Sequence, residues 1–141
     1  MKKLFVLLLL PVLLFACSKD QRSVNKLEGT WLATTLEVVS DGEVVVSVDD
    51  EYTTVLHATF GDCKLSKNKG CETSWVISSP SNTNYAYDYT VSDDGSVLEM
   101  TSWSSPTYSD RTYQILELDK DNMTLRSGNS QDYYTYTFVK Q

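Results

Sequence analysis

Period-two alternation of apolar side chains, in short runs, is the feature that most constrains what this chain can fold into. In one such run Leu56, Ala58 and Phe60 share a face, while His57 lies on the opposite face. This alternation is typical of a β-strand with one buried side. Turn-forming residues such as Asp41-Gly42 separate the runs. The pattern predicts short strands joined by tight turns.

The composition favours strands over helices. Only three alanines follow residue 17, against 12 valines and 15 threonines, and β-branched residues favour extended backbone. The predicted strands lie at 31–39, 44–48, 56–60, 73–77, 85–91, 97–101, 113–115, 123–125 and 134–138. A meander of eight or nine strands must close on itself or expose two edges. We therefore expect an all-β fold, a small antiparallel up-and-down barrel, with a two-sheet β-sandwich as the alternative.

The N-terminus resembles a bacterial lipoprotein signal. The basic pair Lys2-Lys3 precedes an apolar run over 4–15, which is shorter than the roughly 20 residues that a membrane-spanning helix needs. The segment Leu14-Phe15-Ala16-Cys17 is similar to a lipobox, in which the cysteine thiol takes a diacylglyceryl group and becomes the first residue of the mature chain. The resemblance implies that Cys17 is lipidated.

Three segments follow from this interpretation. We expect a signal peptide over 1–16, a lipidated polar tether over 17–26 with room for a short helical turn, and a barrel domain over 27–141. Two or three acyl chains make a stable membrane anchor. Ser18 follows the cysteine, where an aspartate would favour retention at the inner membrane. The predicted location is the cell envelope, at the periplasmic or surface face of the outer membrane.

The charge balance argues against nucleic acid as a partner. Loss of Lys2 and Lys3 with the signal peptide leaves ten basic residues against nineteen acidic ones, a formal charge of −9. Neutralising phosphates needs a basic face, and the only basic cluster is Lys64, Lys67 and Lys69 in one predicted loop. The acidity favours a solvated, soluble surface.

Two cysteines remain once Cys17 is acylated. The compartment outside the cytoplasm is oxidising, so Cys63 and Cys71 are predicted to form a disulfide that closes a hairpin turn around Gly70. Metal ligation is the alternative. It would need further ligands, and His57 is the only histidine.

The segment Leu27-Glu28-Gly29-Thr30-Trp31 opens the first predicted strand. A Gly-x-Trp at this place resembles the start of lipocalin-like (calycin) barrels, in which the tryptophan closes the barrel floor and the glycine lets the leading segment cross close to it. The closing segments, over 113–118, 123–125 and 136–140, look like those of small lipocalin-like lipoproteins common in Bacteroidota. The resemblance covers 27–141 and implies a floor at Gly29 and Trp31.

The same resemblance implies a cation beside the tryptophan. In that superfamily an arginine on a late strand usually packs across the tryptophan in a cation–π contact. The last predicted strand contains no arginine, and Arg126 on the strand before it is the candidate. We therefore expect Arg126 to pack on Trp31.

The interior of an eight-stranded barrel is either filled by side chains or wide enough for one small ligand. Candidate residues to line a site for an apolar or aromatic ligand are Leu36, Phe60, Trp75, Tyr87, Tyr89, Met100 and Tyr136. The alternative is that they form only the core, which aromatic residues dominate in any β protein. If Tyr85, Tyr87 and Tyr89 point outward instead, they form a surface suited to a protein or glycan partner.

The sequence favours a binding protein over an enzyme. It contains no Gly-x-Ser-x-Gly elbow, no His-Glu-x-x-His motif and no phosphate-binding glycine loop, so we expect no catalytic residues, no metal and no cofactor. The first hypothesis is an envelope lipoprotein that binds a small molecule. The second is a protein-interaction barrel with a filled interior, such as an inhibitor or an accessory subunit of an outer-membrane complex. A pocket open at one end would favour the first hypothesis.

Overall fold

Nine antiparallel strands and one α-helix make up the described chain. The computed structural model describes residues 18–48, 55–65, 71–79, 81–103 and 110–141, and the predicted signal peptide over 1–16 and Cys17 lie outside the described residues. The elements are α1 Lys19–Leu27, β1 Gly29–Ser40, β2 Glu43–Val48, β3 Val55–Phe60, β4 Cys71–Ser79, β5 Ser81–Ser92, β6 Val97–Ser102, β7 Arg111–Leu118, β8 Asn122–Gly128 and β9 Tyr133–Lys140. No helix within these ranges is long and apolar enough to cross a bilayer.

Eight of the strands close into a barrel. From β3 to β9 each strand pairs with the next in sequence, and β1 joins the two ends by pairing with both β3 and β9. Closure satisfies the backbone groups at both sheet edges. The predicted all-β, up-and-down barrel is confirmed, and the two-sheet sandwich is not the observed architecture.

The ninth strand, β2, lies outside the closed ring. The first part of β1, from Gly29 to Leu32, pairs with β3. The second part, from Leu36 to Ser40, pairs with β2, while β9 occupies the other edge of β1 along most of its length. Strand β2 therefore extends the barrel wall at the end where β1 finishes.

Helix α1 covers the end of the barrel where β1 begins, which we call the closed end. Three of its side chains donate hydrogen bonds to backbone carbonyl oxygens at this end. Gln21 Nε2 donates to Cys63 at 3.0 Å, Ser23 Oγ donates to Gly95 at 3.1 Å, and Lys26 Nζ donates to Leu118 at 3.1 Å. Val24 and Leu27 are buried against the barrel.

The helix differs from the polar tether expected over 17–26. The Ser18 hydroxyl accepts a hydrogen bond from the Gln21 amide and caps the helix N-terminus. Val24 and Leu27 then fall on one helix face, because residues three apart are neighbours on a helix. From Lys19 onward the segment is a part of the folded domain.

The core fills the closed half of the barrel. Inward-facing residues near α1, among them Trp31, Phe60, Leu98, Met123 and Phe138, are almost completely buried. At the opposite end, which we call the open end, inward-facing residues are only half-buried. They include Leu36, Ile77, Tyr85, Tyr134 and Tyr136. The barrel thus has one filled and sealed half and one half that solvent reaches.

Candidate functional site

Trp31 forms the floor of the barrel, as the Gly-x-Trp resemblance implies. Its side chain is fully buried, and its indole Nε1 donates to the carbonyl oxygen of Leu27 at 2.7 Å. The Lys140 ammonium lies 5.0 Å from the centre of the Trp31 ring and donates to the carbonyl oxygen of Lys26 at 3.2 Å. The floor therefore joins α1, the start of β1 and the end of β9.

Gly29 makes room for this arrangement. Its φ of +117° is rarely adopted by residues with a side chain, and a Cβ added there would lie 2.9 Å from Lys140 Cε. The glycine thus lets the Lys140 side chain pass close to the chain on its way to the tryptophan.

The expected contact between Arg126 and Trp31 is wrong. Met123 and Leu125 on β8 are buried in the interior, so strand alternation directs Arg126 to the outer face. There its guanidinium lies 4.3 Å from the ring centre of Tyr133. Lys140 takes the place beside Trp31. It could have been found in the sequence, because it lies two residues after the inward-facing Phe138.

Five of the seven residues proposed to line a ligand site are core residues in the structure. Phe60, Trp75, Tyr87, Tyr89 and Met100 are all at least nine-tenths buried. The Phe60 and Tyr89 rings meet edge to face at 5.2 Å, and the Tyr89 hydroxyl donates to the carbonyl oxygen of Gly61 at 3.4 Å. Burial, together with the nearby charges of Glu28 and Asp62, raises the pKa of Tyr89.

The other two, Leu36 and Tyr136, belong to the open half. Both face inward, because they are register partners across β1 and β9 and Tyr136 packs on the core. Tyr134 continues this face of β9, and its ring lies 5.6 Å from that of Tyr136. Burial raises the pKa of Tyr136, so its hydroxyl is protonated at neutral pH.

Trp75 lies between the two halves. Its ring stacks on Tyr113 at 5.6 Å and meets Tyr136 and Phe138 edge to face at 6.3 and 5.8 Å. The Trp75 Nε1 is buried without a hydrogen-bond partner among the described residues, which is rare in protein interiors. The buried Tyr113 hydroxyl lies beside the Tyr134 hydroxyl and the Arg111 guanidinium. These groups make this aromatic layer the polar part of the interior.

Arg111 is an interior residue that the sequence analysis missed. It is the register partner of Met100 and lies two residues before Tyr113, both of which face inward. Its guanidinium faces the hydroxyls of Tyr87 and Tyr113. Burial lowers the pKa of Arg111, but the interactions with Tyr113 and Tyr87 outweigh this effect and raise it overall. Arg111 is therefore a cation at neutral pH.

A shallow groove lies on the outer face of the barrel. It has a volume of about 260 Å³ and is lined by Thr59, Gly61, Glu72, Thr73, Ser74, Ala86 and Trp103. Thr59, Ser74 and Ala86 are register partners across β3, β4 and β5, so small side chains form its base. Trp103 is 53% exposed at its edge.

Cys63 and Cys71 form the predicted disulfide. Their Cα atoms are 5.1 Å apart, and the bond closes the connection between β3 and β4. His57 lies on the outer face of β3, between Leu32 and Val76 on the neighbouring strands. The described part of the chain contains no group of three or more His, Cys, Asp or Glu side chains placed to hold a metal.

Comparison with solved structures identifies the fold. A lipocalin-like protein from Bacteroides uniformis ATCC 8492 superimposes with a TM-score of 0.54 at 14% identity, covering 82% of this chain and 99% of that chain. An uncharacterized protein from Bacteroides eggerthii DSM 20697 gives 0.52 at 18% identity, covering 81% and 98%. No protein-family model and no curated protein matches the sequence. The predicted lipocalin-like fold is confirmed.

Proposed function

We propose that this chain is a lipoprotein of the cell envelope whose lipocalin-like barrel binds a small apolar or aromatic molecule. The contrast between the two halves of the barrel carries the proposal. Trp31 and α1 seal the closed end, whereas inward-facing residues at the other end are only half-buried. A sealed floor below partly accessible aromatic side chains is the arrangement expected of a cup, the shape in which proteins commonly hold small ligands.

The side chains of the open half suit such a ligand. Leu36 and Ile77 offer apolar surface, and Tyr85, Tyr134 and Tyr136 add aromatic rings with polar hydroxyls. Ligand sites are typically apolar walls with a few polar groups that fix orientation. The filled half beneath keeps this wall rigid, because close-packed interiors resist deformation.

Binding can be tested with the fluorescent apolar probe phenylnaphthylamine. We expect it to bind the wild-type chain and to bind Leu36→Trp at least about tenfold more weakly, because a larger side chain fills the cup. Leu116→Trp is the matched control, since Leu116 is 47% exposed and lies outside the interior. Absence of probe binding to the wild type would contradict the proposal.

The anchor is tested separately. Cys17→Ala should move the protein from the membrane fraction to the soluble fraction of the host envelope, because the acyl chains supply the attachment. Ser18→Ala serves as the control and should remain with the membrane. If Cys17→Ala still sediments with lipid, the lipoprotein part of the proposal is wrong, whatever the barrel binds.

A protein-interaction barrel is the second candidate. The outer groove beside Trp103 favours it, because exposed tryptophans are enriched at binding surfaces. Native mass spectrometry of protein purified from its own host distinguishes the two. A bound small-molecule mass supports the first candidate. A stoichiometric protein subunit that is lost in Trp103→Ala but kept in Leu116→Ala supports the second.

A further inference from the structure

Arg111 is a cation that faces the interior of the barrel, at the boundary between its two halves. It is the first residue of β7, whose last residue, Leu118, bonds to α1 at the closed end. Its register partner Met100 and its strand neighbour Tyr113 are both fully buried in the interior, so Arg111 also faces inward. It is only half-buried, and so it lies where the filled half meets the accessible half.

The groups around Arg111 do not neutralise its charge. The guanidinium faces the hydroxyls of Tyr87 and Tyr113 and, among the described residues, no carboxylate on those strands, and burial raises the pKa of Tyr113. Across the ranges that the structure describes, no carboxylate lies within ion-pair distance of it. The neighbouring Asp110 accepts a hydrogen bond from the Ser102 amide at 3.2 Å instead. Guanidinium groups that leave bulk water usually have an anionic partner.

One further hydrogen-bond donor lies in the same layer. The Trp75 Nε1 has no partner among the described residues, and its ring stacks on that of Tyr113. An indole N–H can only donate, and a guanidinium has five donors and no acceptor. The guanidinium and the Trp75 N–H therefore both need acceptors. A ligand that brings oxygen acceptors would complement them, and a negative charge would match Arg111.

The wall above Arg111 is apolar and aromatic. Ile77, Tyr85 and Tyr134 face inward there and are half-buried. A ligand with one acid group would place that group at Arg111 and its apolar body along this wall toward the open end. Carboxylates fit the fork of an arginine through two parallel hydrogen bonds.

We propose that the barrel selects small organic acids, and that Arg111 binds their carboxylate while the aromatic wall holds the apolar body. The inference rests on the proposed small-molecule binding and names the class of ligand. Tyr87 and Tyr113 are positioning residues, which hold the guanidinium at the base of the cup.

The test compares two ligands with the same apolar body, one of which carries a carboxylate and the other a neutral hydroxyl. Naphthylacetate and naphthylethanol share an aromatic ring and a two-carbon arm, and each is titrated against bound phenylnaphthylamine. We expect the acid to displace the probe from the wild type at a concentration about tenfold lower or less, because a charge-assisted hydrogen bond favours it by roughly that factor. Equal displacement by the acid and the alcohol would overturn the inference and leave the proposed function standing.

Variants locate the effect. Arg111→Gln should lose the preference for the acid while it still binds phenylnaphthylamine and naphthylethanol, which shows that the barrel is intact. Arg111→Lys should keep part of the preference. Arg126→Gln is the matched control and should behave as the wild type, because Arg126 lies on the outer face. Preference retained in Arg111→Gln would overturn the inference.

The failure of the broader proposal gives a different result. If the wild type binds neither phenylnaphthylamine nor either naphthyl compound, the small-molecule function and this inference fall together. If Arg111→Gln does not fold, the wild-type preference and the Arg111→Lys variant decide the question. A purely structural arginine would leave the wild type without a preference for the acid.

Discussion

The pair of Trp31 and Lys140 shows how single residues close this barrel. The indole is buried under α1 with its Nε1 bonded to Leu27, and the ammonium lies over its ring at 5.0 Å. A lysine stem can cover apolar surface while its charged head reaches polar groups, here the Lys26 carbonyl. One side chain therefore both covers the floor and ties β9 to α1.

Removal of the tryptophan should be costly. We expect Trp31→Ala to lower the free energy of unfolding by about 3–5 kcal/mol, as for other large buried aromatic residues. Urea denaturation of the full chain measures the loss. Trp103→Ala is the control, because Trp103 is 53% exposed, and its effect should stay within about 0.5 kcal/mol. Equal effects of the two variants would mean that Trp31 is not the floor.

Asp132 should make the free energy of unfolding depend on pH in the acidic range. Its carboxylate accepts hydrogen bonds from the Asp41 amide and the Ser40 hydroxyl, each at 3.1 Å, and these bonds hold its pKa below the ordinary 3.8. A carboxylate whose pKa is lowered by folding stabilises the folded state at pH values above 3.8. This stabilisation is lost as the pH falls through the pKa of the group in the folded state.

We therefore expect Asp132→Ala to be less stable than the wild type at neutral pH and the difference to shrink below pH 3.8. Urea midpoints over that range measure it. Asp132→Asn, which keeps an acceptor oxygen but does not titrate, should be closer to the wild type at neutral pH, and its difference should change with pH as that of Asp132→Ala does, because the wild-type carboxylate is the group that titrates. A gap that widens in acid would contradict the assignment.

Sequence reasoning located Trp31 but not its partner, for a physical reason. Gly29 and Trp31 are two residues apart, so their spacing is visible in the chain. Lys140 meets Trp31 only through the pairing of β1 with β9, which depends on closure of the whole sheet. Arg111 was missed because a charged residue at the start of a strand resembles a solvated strand end. Its two-residue spacing from Tyr113 was the available signal.

At the scale of elements, α1 is the largest difference from expectation. Its sequence has only two apolar side chains on the buried face, Val24 and Leu27, so the helical pattern is weak. Contacts with the barrel supply the remaining stability of the helix. The Gly95 amide donates to the Asp20 carboxylate at 2.6 Å, and Lys19 pairs with Asp94 at 2.9 Å. Tertiary packing, rather than local propensity, stabilises this helix.

Truncating the buried face of α1 tests this view. Leu27→Ala should lower the free energy of unfolding by about 2–5 kcal/mol, because it opens a cavity under a fully buried residue. Asn25→Ala lies on the exposed face of the same helix and should change it by about 0.5 kcal/mol at most. Thermal or urea unfolding distinguishes the two. A neutral Leu27→Ala would indicate a helix that does not seal the barrel.

The disulfide should stabilise the connection between β3 and β4. Cys63 and Cys71 are eight residues apart in sequence, and a ring of this size restricts the unfolded chain by about 2–3 kcal/mol. The double variant Cys63→Ser/Cys71→Ser should lose about that much in urea. Non-reducing mass spectrometry of the exported protein checks the bond itself. Two free thiols there would contradict the pairing.

The strands themselves were predictable because alternation is local, whereas their arrangement was not. The β2 pattern of Val44, Val46 and Val48 resembles that of any barrel strand. Strand β2 lies outside the ring because one edge of β1 pairs with β3 along its first part and with β2 along its second part. The short apolar runs do not indicate that one edge of β1 pairs with two different strands.

At the scale of the whole molecule, the division into a filled and an accessible half should govern which residues solvent reaches. We expect hydroxyl-radical footprinting of the full chain to modify Tyr134 and Tyr136 well before Met100 and Met123, which are fully buried. Methionine is intrinsically reactive, so its protection is informative. Oxidation of Met123 as fast as Tyr134 would mean that solvent crosses the floor.

The docking of α1 also sets a direction. Ser18 caps the helix N-terminus, and Cys17 is the residue before it, so a lipid there would leave almost no slack between membrane and barrel. Because α1 covers the closed end, that end would face the bilayer and the open end would point away from it. Ligand exchange would then take place with the aqueous phase or with a passing carrier, and lipids would not enter directly from the leaflet beneath.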